Sequence, residues 1–381
     1  MRSVNTNDLL KTVSDLVSFR TTDSNFGEFD KAVKYIEKFF ENERLFIFKH
    51  YFNDYPALFI STLNTKKPKV LLQGHLDVVN GKSEQFTPKI KGDKLFGRGT
   101  VDMKGFVAVA MHAMKDFAQK RIDAGMMISF DEETGSENGT KKLVEKEKYS
   151  CEILLNGDGG YNYAVIHGEK GIVKFELETI AKPGRHPYPW EGANAFDLFI
   201  EDYKSITELF PENKFATDYD NWHTTYSIYD INVFNDEFHP PKKVTAKMNI
   251  YFTENITTDE LCRKIKGKLK HTKIKKFTAS ERVYENPDSI YIREMQKIMS
   301  KNFGREIAIR TENGSSDARF FANKDIPIVI VKTVGEDHHG ENEHLLISEL
   351  MPMYRSVIDF VSVFLQKNIE EKNLVLNNEI K

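Results

Sequence analysis

Short apolar runs that alternate with helical periodicities are the feature of this sequence that most restricts its fold. Runs of five or six residues, the length of buried strands, occur at 57–62, 69–73, 126–130 and 152–156. Apolar residues at helical spacing predict two helices near the N-terminus and others near 104–117 and 139–146. This alternation predicts an α/β protein in which helices pack on a layered sheet.

Two domains are expected, because 381 residues exceed the size at which one hydrophobic core stops growing. Beyond residue 170 the pattern changes to alternating strands interleaved with helices, which predicts an inserted α+β domain over residues 171–283. The α/β rhythm then returns, with helical patterns on either side of a strand at 326–332. The first domain is therefore expected to consist of residues 1–170 and 284–381.

The composition excludes several classes of partner. The formal net charge is −3, with 54 basic and 57 acidic residues, so the chain lacks the excess positive charge that binds nucleic acid or an anionic membrane. No stretch approaches the roughly 18 apolar residues of a membrane-spanning helix, so we expect a cytoplasmic protein that acts on a small molecule or peptide. With only Cys151 and Cys262 present, a bound metal would need histidine and carboxylate ligands.

A histidine and an aspartate follow the apolar run at 69–73. His75 and Asp77 are two residues apart, and side chains at this spacing on an extended segment face the same side. The carboxylate could therefore hold the second ring nitrogen of a metal-bound imidazole, as such histidines usually require. A polar pair at a strand end, with no metal, is the alternative.

Three more segments place acidic side chains at the ends of apolar runs or turns. Asp102 follows a glycine-rich turn and precedes a helical pattern, so it could instead be the N-cap of that helix. Asp131, Glu132 and Glu133 repel one another unless a positive charge is nearby, although a solvated acidic turn would also hold them. Asp158 follows the next apolar run and could be an ordinary turn residue.

Three histidines, His338, His339 and His344, follow the last predicted strand. Singly, each could be a surface residue. Together with the segments above, they complete a set of His, Asp and Glu side chains that matches the ligand preference of zinc, and one shared carboxylate would allow two metal ions. Of the adjacent acids Glu132 and Glu133, one could bind metal while the other moves protons.

In this order, the motifs resemble those of the M20 family of zinc aminoacylases and peptidases, the group that contains acetylornithine deacetylase, succinyl-diaminopimelate desuccinylase and aminoacylase-1. The matching strings are GHLDVV, GRGTVDMKG, DEETGS, NGDGG, HGEKG, GSSDARFF and HGENE, and they extend over nearly the whole chain. The resemblance implies a zinc-peptidase catalytic domain that binds two Zn²⁺ ions, with Co²⁺ or Mn²⁺ as alternatives. It also implies that the insertion is a lid or dimerisation domain, and hence a homodimer.

The resemblance implies five metal ligands. Asp102 corresponds to the carboxylate that bridges both zinc ions, and the remaining ligands correspond to His75, Glu133, Asp158 and His339. Glu133 and Asp158 would bind opposite zinc ions.

Two further side chains would assist these ligands. Glu132 corresponds to the general base, and Asp77 to the residue that orients the first histidine. In the family, the last histidine stands four residues before a glutamate. This register selects His339 and excludes His338 and His344 as ligands.

The implied reaction is hydrolysis of the amide bond of an N-acyl amino acid, such as an N-acetyl or N-succinyl diamino acid. Glu132 would take a proton from water held between the two metal ions and pass it to the leaving amine. A dipeptidase or carboxypeptidase would use the same residues and is the alternative. A more distant alternative is a non-catalytic binding protein descended from the family. A protein that no longer catalyses the reaction would tolerate loss of Glu132 or of a ligand, and this sequence retains all of them.

The predicted lid departs from the family pattern. Arg185 stands where the family has a lid histidine, and either Arg185 or the adjacent His186 could stabilise an oxyanion. Tyr251 occupies the place where many deacylases carry an arginine for the substrate carboxylate. Arg319 lies in a string that resembles the family segment near that carboxylate, and it could pair with the substrate carboxylate or form a structural ion pair with Asp317 or another acid. The sequence therefore defines the substrate residues less well than the metal ligands.

Overall fold

The computed structural model describes residues 4–211 and 222–379, with the side chains of the last helix described up to residue 365. The chain divides into two compact units. The first contains the described residues up to His167, Glu285–Glu312 and those from Ser316 on, and the second contains the described residues of Gly168–Tyr284 and Asn313–Ser315. The predicted insertion, 171–283, falls within the second unit, whereas the sequence did not associate Asn313–Ser315 with it.

The chain up to residue 169 alternates between helices and strands. The helices are α1 (Thr6–Ser18), α2 (Phe26–Phe40), α3 (Gly105–Lys120) and α4 (Thr140–Glu145). The strands are β1 (Phe46–Phe52), β2 (Tyr55–Ser61), β3 (Val70–His75), β4 (Lys89–Lys91), β5 (Lys94–Phe96), β6 (Ala124–Ser129), β7 (Ile153–Asn156) and β8 (Ala164–Glu169). The four predicted apolar strands are β2, β3, β6 and β7, each correct to within two residues at either end.

The second unit has its own sheet and its own core. Its strands are β9 (Gly171–Ile180), β10 (Thr225–Asp236), β11 (His239–Phe252) and β12 (Thr272–Ser280), and its helices are α5 (Ala195–Thr207) and α6 (Thr258–Lys268). The strands are antiparallel, in the order β10-β11-β9-β12. Alternate residues of the central strands, such as Phe175 and Met248, are buried with Phe199 of α5 and Leu261 of α6. This is the α+β architecture predicted for the insertion.

The second unit also contains β13 (Val283–Tyr284), and the remaining elements complete the first unit. They are α7 (Ile290–Phe303), β14 (Ala308–Glu312), β15 (Ile328–Ile330), β16 (Gly335–Glu336), β17 (His344–Leu346) and α8 (Leu350–Glu379). The main sheet has the order β1-β2-β6-β3-β7-β15-β8, and a smaller sheet has the order β16-β17-β5-β4. These layers of sheet and helix confirm the α/β class.

The centre of the main sheet is parallel. Strand β3 runs parallel to both β6 and β7, and β15 runs parallel to β7. Every residue of β3 and β6 is buried, and α3 packs against both strands while also contacting α1 and α8. Parallel strands covered in this way end at a common edge of the sheet. Among the described residues, no helix is both long enough and apolar enough to cross a membrane.

Candidate metal centre

Three neighbouring parallel strands deliver side chains to one edge of the main sheet. Strand β3 ends at His75, Glu132 and Glu133 lie in the 3₁₀ turn that follows β6, and Asp158 follows β7 by two residues. Because β6, β3 and β7 are adjacent and parallel, their carboxyl ends lie side by side. This is the edge at which α/β sheets hold ligands.

Asp102 lies in the turn before α3, and its two carboxylate oxygens face different histidines. Oδ1 is 3.3 Å from Nε2 of His75, and Oδ2 is 2.9 Å from Nε2 of His339. Lys104 is the N-cap of α3, so Asp102 is not the helix cap that was the alternative for it. An aspartate placed between two histidines can bridge two cations.

The candidate ligand atoms form two clusters. In each, the three donor atoms lie within 4.8 Å of one another; the first cluster is His75, Glu132 and Asp158, and the second is Asp102, Glu133 and His339. Asp102 also reaches His75 of the first cluster, as described above. The structure thus brings together the five predicted ligands, with the predicted base Glu132 beside two of them.

The first cluster is electrostatically unbalanced. Nε2 of His75 is buried and makes no hydrogen bond, although carboxylate oxygens of Asp102 and Asp158 lie 3.3 and 3.9 Å from it. Burial opposes protonation of His75, but the nearby Asp102 and Asp77 carboxylates outweigh it and raise the pKa of His75 well above its usual value. Burial raises the pKa of Asp158 to about 7, and the charge of Asp102 adds to the shift. A divalent cation with nitrogen and oxygen ligands would relieve this imbalance.

The second cluster is dominated by attraction between unlike charges. Hydrogen bonds to Asp102 and Glu133 raise the pKa of His339 to about 10. Burial alone would raise the pKa of Asp102, but the hydrogen bonds from His339 and His75 reverse that effect and lower it. In the metal-free site at neutral pH, His339 therefore carries a proton that a metal ion would have to displace.

Asp77 contacts two of the strand ends that carry ligands. Nδ1 of His75 lies 3.0 Å from the backbone carbonyl of Asp77 and 3.4 Å from its Oδ1. Oδ2 of Asp77 accepts a hydrogen bond from the backbone N–H of Glu133 at 2.9 Å. The sequence predicted that the Asp77 carboxylate orients His75. In the structure both the carboxylate and the backbone carbonyl of Asp77 lie next to Nδ1 of His75.

A buried ion pair that the sequence analysis did not select connects two ligand-bearing segments. Nη1 of Arg98 donates to Oε2 of Glu343 at 2.7 Å. The other oxygen of Glu343 accepts from the backbone N–H groups of Val101 and Asp102, and Nη2 of Arg98 donates to the carbonyl of His339. Arg98 lies inside the motif GRGTVDMKG and Glu343 inside HGENE, so the sequence analysis had identified both segments. Because the two residues are far apart in sequence, no local pattern indicated that they pair.

The three residues predicted to bind substrate lie in different environments. Arg319 lies beside Glu132, with Nη1 3.4 Å from Oε1. Arg185 and His186 belong to the second unit, where both are exposed and Arg185 pairs bidentately with Glu191. Their roles in substrate binding stay predictions.

The two histidines excluded by register do not join the donor clusters among the described residues. His344 is buried in β17, where its Nδ1 lies 2.8 Å from the carbonyl of Asn342. His338 is the neighbour of the candidate ligand His339, and their rings lie 5.3 Å apart.

Comparison with known proteins gives a consistent result. Residues 71–362 match the family described as Peptidase family M20/M25/M40. A succinyl-diaminopimelate desuccinylase from Rickettsia massiliae (strain Mtu5) is 25% identical over 380 residues, which cover 92% of this chain and 98% of that protein. Aminopeptidase PepT from Bacillus cereus ATCC 10987 superposes with a TM-score of 0.75 at 16% identity, over 95% of this chain and 99% of that one. The M20 family metallo-carboxypeptidase Sso-CP2 from Sulfolobus solfataricus gives a TM-score of 0.72 at 15% identity, over 94% and 99%.

Proposed function

The chain belongs to peptidase family M20/M25/M40, which makes it an amide-bond hydrolase, and from this premise we propose that it removes the acyl group from an N-acyl amino acid with the help of two metal ions. The observation that carries the proposal is the position of Asp102, which contacts His75 on one side and His339 on the other. The desuccinylase that matches nearly the full length of the chain supports the N-acyl class of substrate.

In this proposal Asp102 would contribute to both cation sites. His75 and Asp158 would hold one cation with it, and Glu133 and His339 would hold the other. The cations, when bound, supply the positive charge that acidifies a water molecule and polarises the amide carbonyl. We propose zinc because its ligand preference fits this mixture of imidazole and carboxylate, and cobalt or manganese would fit the same donors.

Glu132 moves the proton. Burial raises its pKa well above the usual value, and the charge of Asp158 adds to the shift. A carboxylate of raised basicity beside two ligands is suited to take a proton from water and to return it to the leaving amine. Asp77 keeps His75 and the Glu133 backbone in place through the contacts described above.

An assay of substrate classes tests the proposed function. Protein loaded with Zn²⁺ or Co²⁺ is incubated with N-acetyl and N-succinyl amino acids and with dipeptides, and the release of free amine is measured. We expect faster hydrolysis of the N-acyl amino acids. A clear preference for dipeptides would favour the dipeptidase or carboxypeptidase alternative. Release of no amine by folded, metal-loaded protein would contradict hydrolysis itself and leave a binding role.

The Glu132→Gln variant tests the proposed base. The amide keeps the size of the side chain but cannot take the proton, so kcat should fall by about a thousandfold or more, while the metal content stays at the wild-type value. Glu137→Gln is the matched control, because Glu137 lies in the same segment and its exposed side chain pairs with Lys141, away from the proposed ligands. Full activity of Glu132→Gln would show that another group is the base.

We also propose a homodimer. Strand β10 is an edge of its sheet, and its apolar side chains Tyr229, Ile231, Val233 and Phe234 are each more than 40% exposed. A second copy that pairs along this edge would cover them. Light scattering is expected to give twice the chain mass, and Ile231→Lys should shift the protein towards the monomer; a monomeric wild-type protein would contradict this proposal.

The cytoplasm is the proposed location. Cys151 and Cys262 are both free thiols, and Cys151 is buried. Free cysteines are typical of a reducing compartment. Detection of the native protein in a cell fraction other than the cytoplasm would contradict this location.

A further inference from the structure

Arg319 contacts the proposed base directly, and its own surroundings indicate its role. Nη1 lies 3.4 Å from Oε1 of Glu132, while Nη2 donates to Oγ of Ser136 at 2.9 Å and lies 3.6 Å from Oδ1 of Asp317. Only 9% of the Arg319 side chain is exposed. We propose that Arg319 is a positioning residue that holds the Glu132 carboxylate in its working orientation, rather than a ligand of the substrate carboxylate. This inference rests on the proposed function, in which Glu132 is the base.

Asp317, the second acid beside the guanidinium, is held by several elements at once. Its Oδ2 accepts from Oγ of Ser129 at 2.9 Å, from Oγ1 of Thr140 at 2.5 Å and from Nε2 of Gln73 at 3.3 Å. Its Oδ1 accepts from Oγ of Ser136. These donors come from β3, from β6, from α4 and from the turn after β6. Asp317 is therefore a fixed anchor against which a cation can be oriented.

The guanidinium transmits this fixed geometry to Glu132. It is planar and rigid, so contacts with Asp317 and Ser136 on one nitrogen determine where its other nitrogen lies. A glutamate side chain has several rotatable bonds, and a contact at its carboxylate selects among the rotamers. A misplacement of about 1 Å at a reacting group can cost about 100-fold in rate. Arg319 is well placed to prevent such a misplacement.

The same contacts argue against direct binding of a substrate carboxylate. Both terminal nitrogens of Arg319 already face protein acceptors, and the guanidinium carbon lies 4.7 Å from the centre of the Phe320 ring. A carboxylate bound there would also stand next to Glu132, in a group of acids that already repel one another.

The test separates positioning from substrate binding through kcat and KM. Arg319→Gln, Arg319→Lys and Asp317→Asn are loaded with Co²⁺ and assayed on an N-acyl amino acid and on its carboxamide, which lacks the carboxylate. For Arg319→Gln we expect kcat to fall about 100-fold on both substrates, with KM changed less than about threefold. Asp317→Asn should act in the same direction. Arg319→Lys should recover about tenfold, because an ammonium group keeps the charge but cannot make the three contacts together.

Two controls show that the effect lies at Glu132. The Co²⁺ stoichiometry and absorption spectrum of the Arg319 variants should match those of the wild type, because the contacts of Arg319 described above include no proposed ligand. Lys141→Gln removes a cation from the neighbouring helix α4, where it pairs with the exposed Glu137, and should leave kcat and KM unchanged.

The outcomes are distinct. A rise in KM of tenfold or more on the carboxylate substrate, with kcat kept and the carboxamide unaffected, would make Arg319 a substrate ligand and overturn the inference. Full activity of Arg319→Gln on both substrates would overturn it too. If Arg319→Gln does not fold, the same kcat and KM comparison on Arg319→Lys decides.

Failure of the proposed function would be visible separately, as a wild-type protein that hydrolyses neither substrate. In that case crystal structures of the wild type and Arg319→Lys still test the inference. A Glu132 carboxylate displaced by about 1 Å or more supports it, and an unmoved carboxylate overturns it.

Discussion

The ion pair between Arg98 and Glu343 is buried between the segments that carry Asp102 and His339. Breaking a buried pair leaves the remaining charge desolvated and uncompensated, which costs about 3–5 kcal/mol. Glu343 also accepts the backbone N–H groups of Val101 and Asp102 at 3.1 and 3.3 Å. Its carboxylate therefore serves two purposes, because it neutralises Arg98 and fixes the turn of the proposed bridging ligand.

Glu343→Gln should weaken both the fold and the metal site. We expect the free energy of unfolding to fall by about 3 kcal/mol and the affinity for Co²⁺ to fall by about 10- to 100-fold, as for other groups that orient metal ligands. Thermal denaturation and titration of the Co²⁺ spectrum measure these effects. Lys82→Gln, the matched control, breaks an exposed pair with Glu341 in the same loop and should change neither. Unchanged Co²⁺ affinity in Glu343→Gln would refute the link between this pair and the ligands.

At the scale of elements, one carboxylate joins helix α5 to strand β12. Asp202 is buried and accepts hydrogen bonds from the backbone N–H groups of Lys270, His271 and Thr272 at 2.9, 2.8 and 2.6 Å. Burial alone would raise the pKa of Asp202, but the three donors outweigh it and lower the pKa. The ionised carboxylate is thus the form that stabilises the start of β12.

Asp202→Ala should lower the free energy of unfolding by about 3 kcal/mol, since three backbone donors lose their acceptor at about 1 kcal/mol each. Because the folded-state pKa is lowered, this stabilisation is present above the ordinary pKa of aspartate and is lost as pH falls through the lowered value. Urea unfolding of the two proteins at pH 7 and near pH 3 should show the difference shrinking at the lower pH. Asp202→Asn, which keeps one acceptor oxygen, should lose less. A difference of equal size at both pH values would contradict a role for the charge.

The four strands of the first unit that the sequence predicted as apolar runs share one property, which is burial on both faces. Strands β3 and β6 are buried at every position and so appear as unbroken apolar runs. By contrast, β4 is exposed at all three positions, and β16 contains only two residues. Strand β4 pairs with β5 and β16 pairs with β17, and these two pairs join into one sheet only through a long-range pairing, in which Phe96 of β5 lies opposite His344 of β17. Local periodicity contains no signal for that kind of pairing.

At the scale of the whole molecule, the proposed metal centre would couple stability to pH. Its proposed ligands come from strand ends and loops that span most of the first unit. A cation that binds only the folded chain stabilises it by about 2.7 kcal/mol at a hundred times the Kd. Its ligands bind as deprotonated groups, whereas the metal-free cluster holds protons, with a pKa of about 7 for Asp158 and about 10 for His339.

Chelation with EDTA should therefore lower the unfolding temperature, and added Co²⁺ or Zn²⁺ should restore it. The affinity for Co²⁺ should fall by about tenfold or more for each unit that pH is lowered from 8 to 6, because each bound ion must displace protons. Calorimetric titration in two buffers of different ionisation enthalpy measures the protons released. An affinity that does not change between pH 6 and pH 8 would contradict the pKa values of the metal-free site.

The sequence by itself determined the α/β class, the α+β insertion and the residue types of a metal site, because these follow from local periodicity and from side-chain chemistry. The family resemblance named the candidate ligands, but only the tertiary structure decided which donor atoms lie close together. Asp102 faces both His75 and His339, and Arg319 reaches Glu132, which is 187 residues away in sequence. Such contacts depend on the order in which the strands pair and on how loops from distant parts of the chain meet. Neither property is encoded in the neighbours of a residue along the chain.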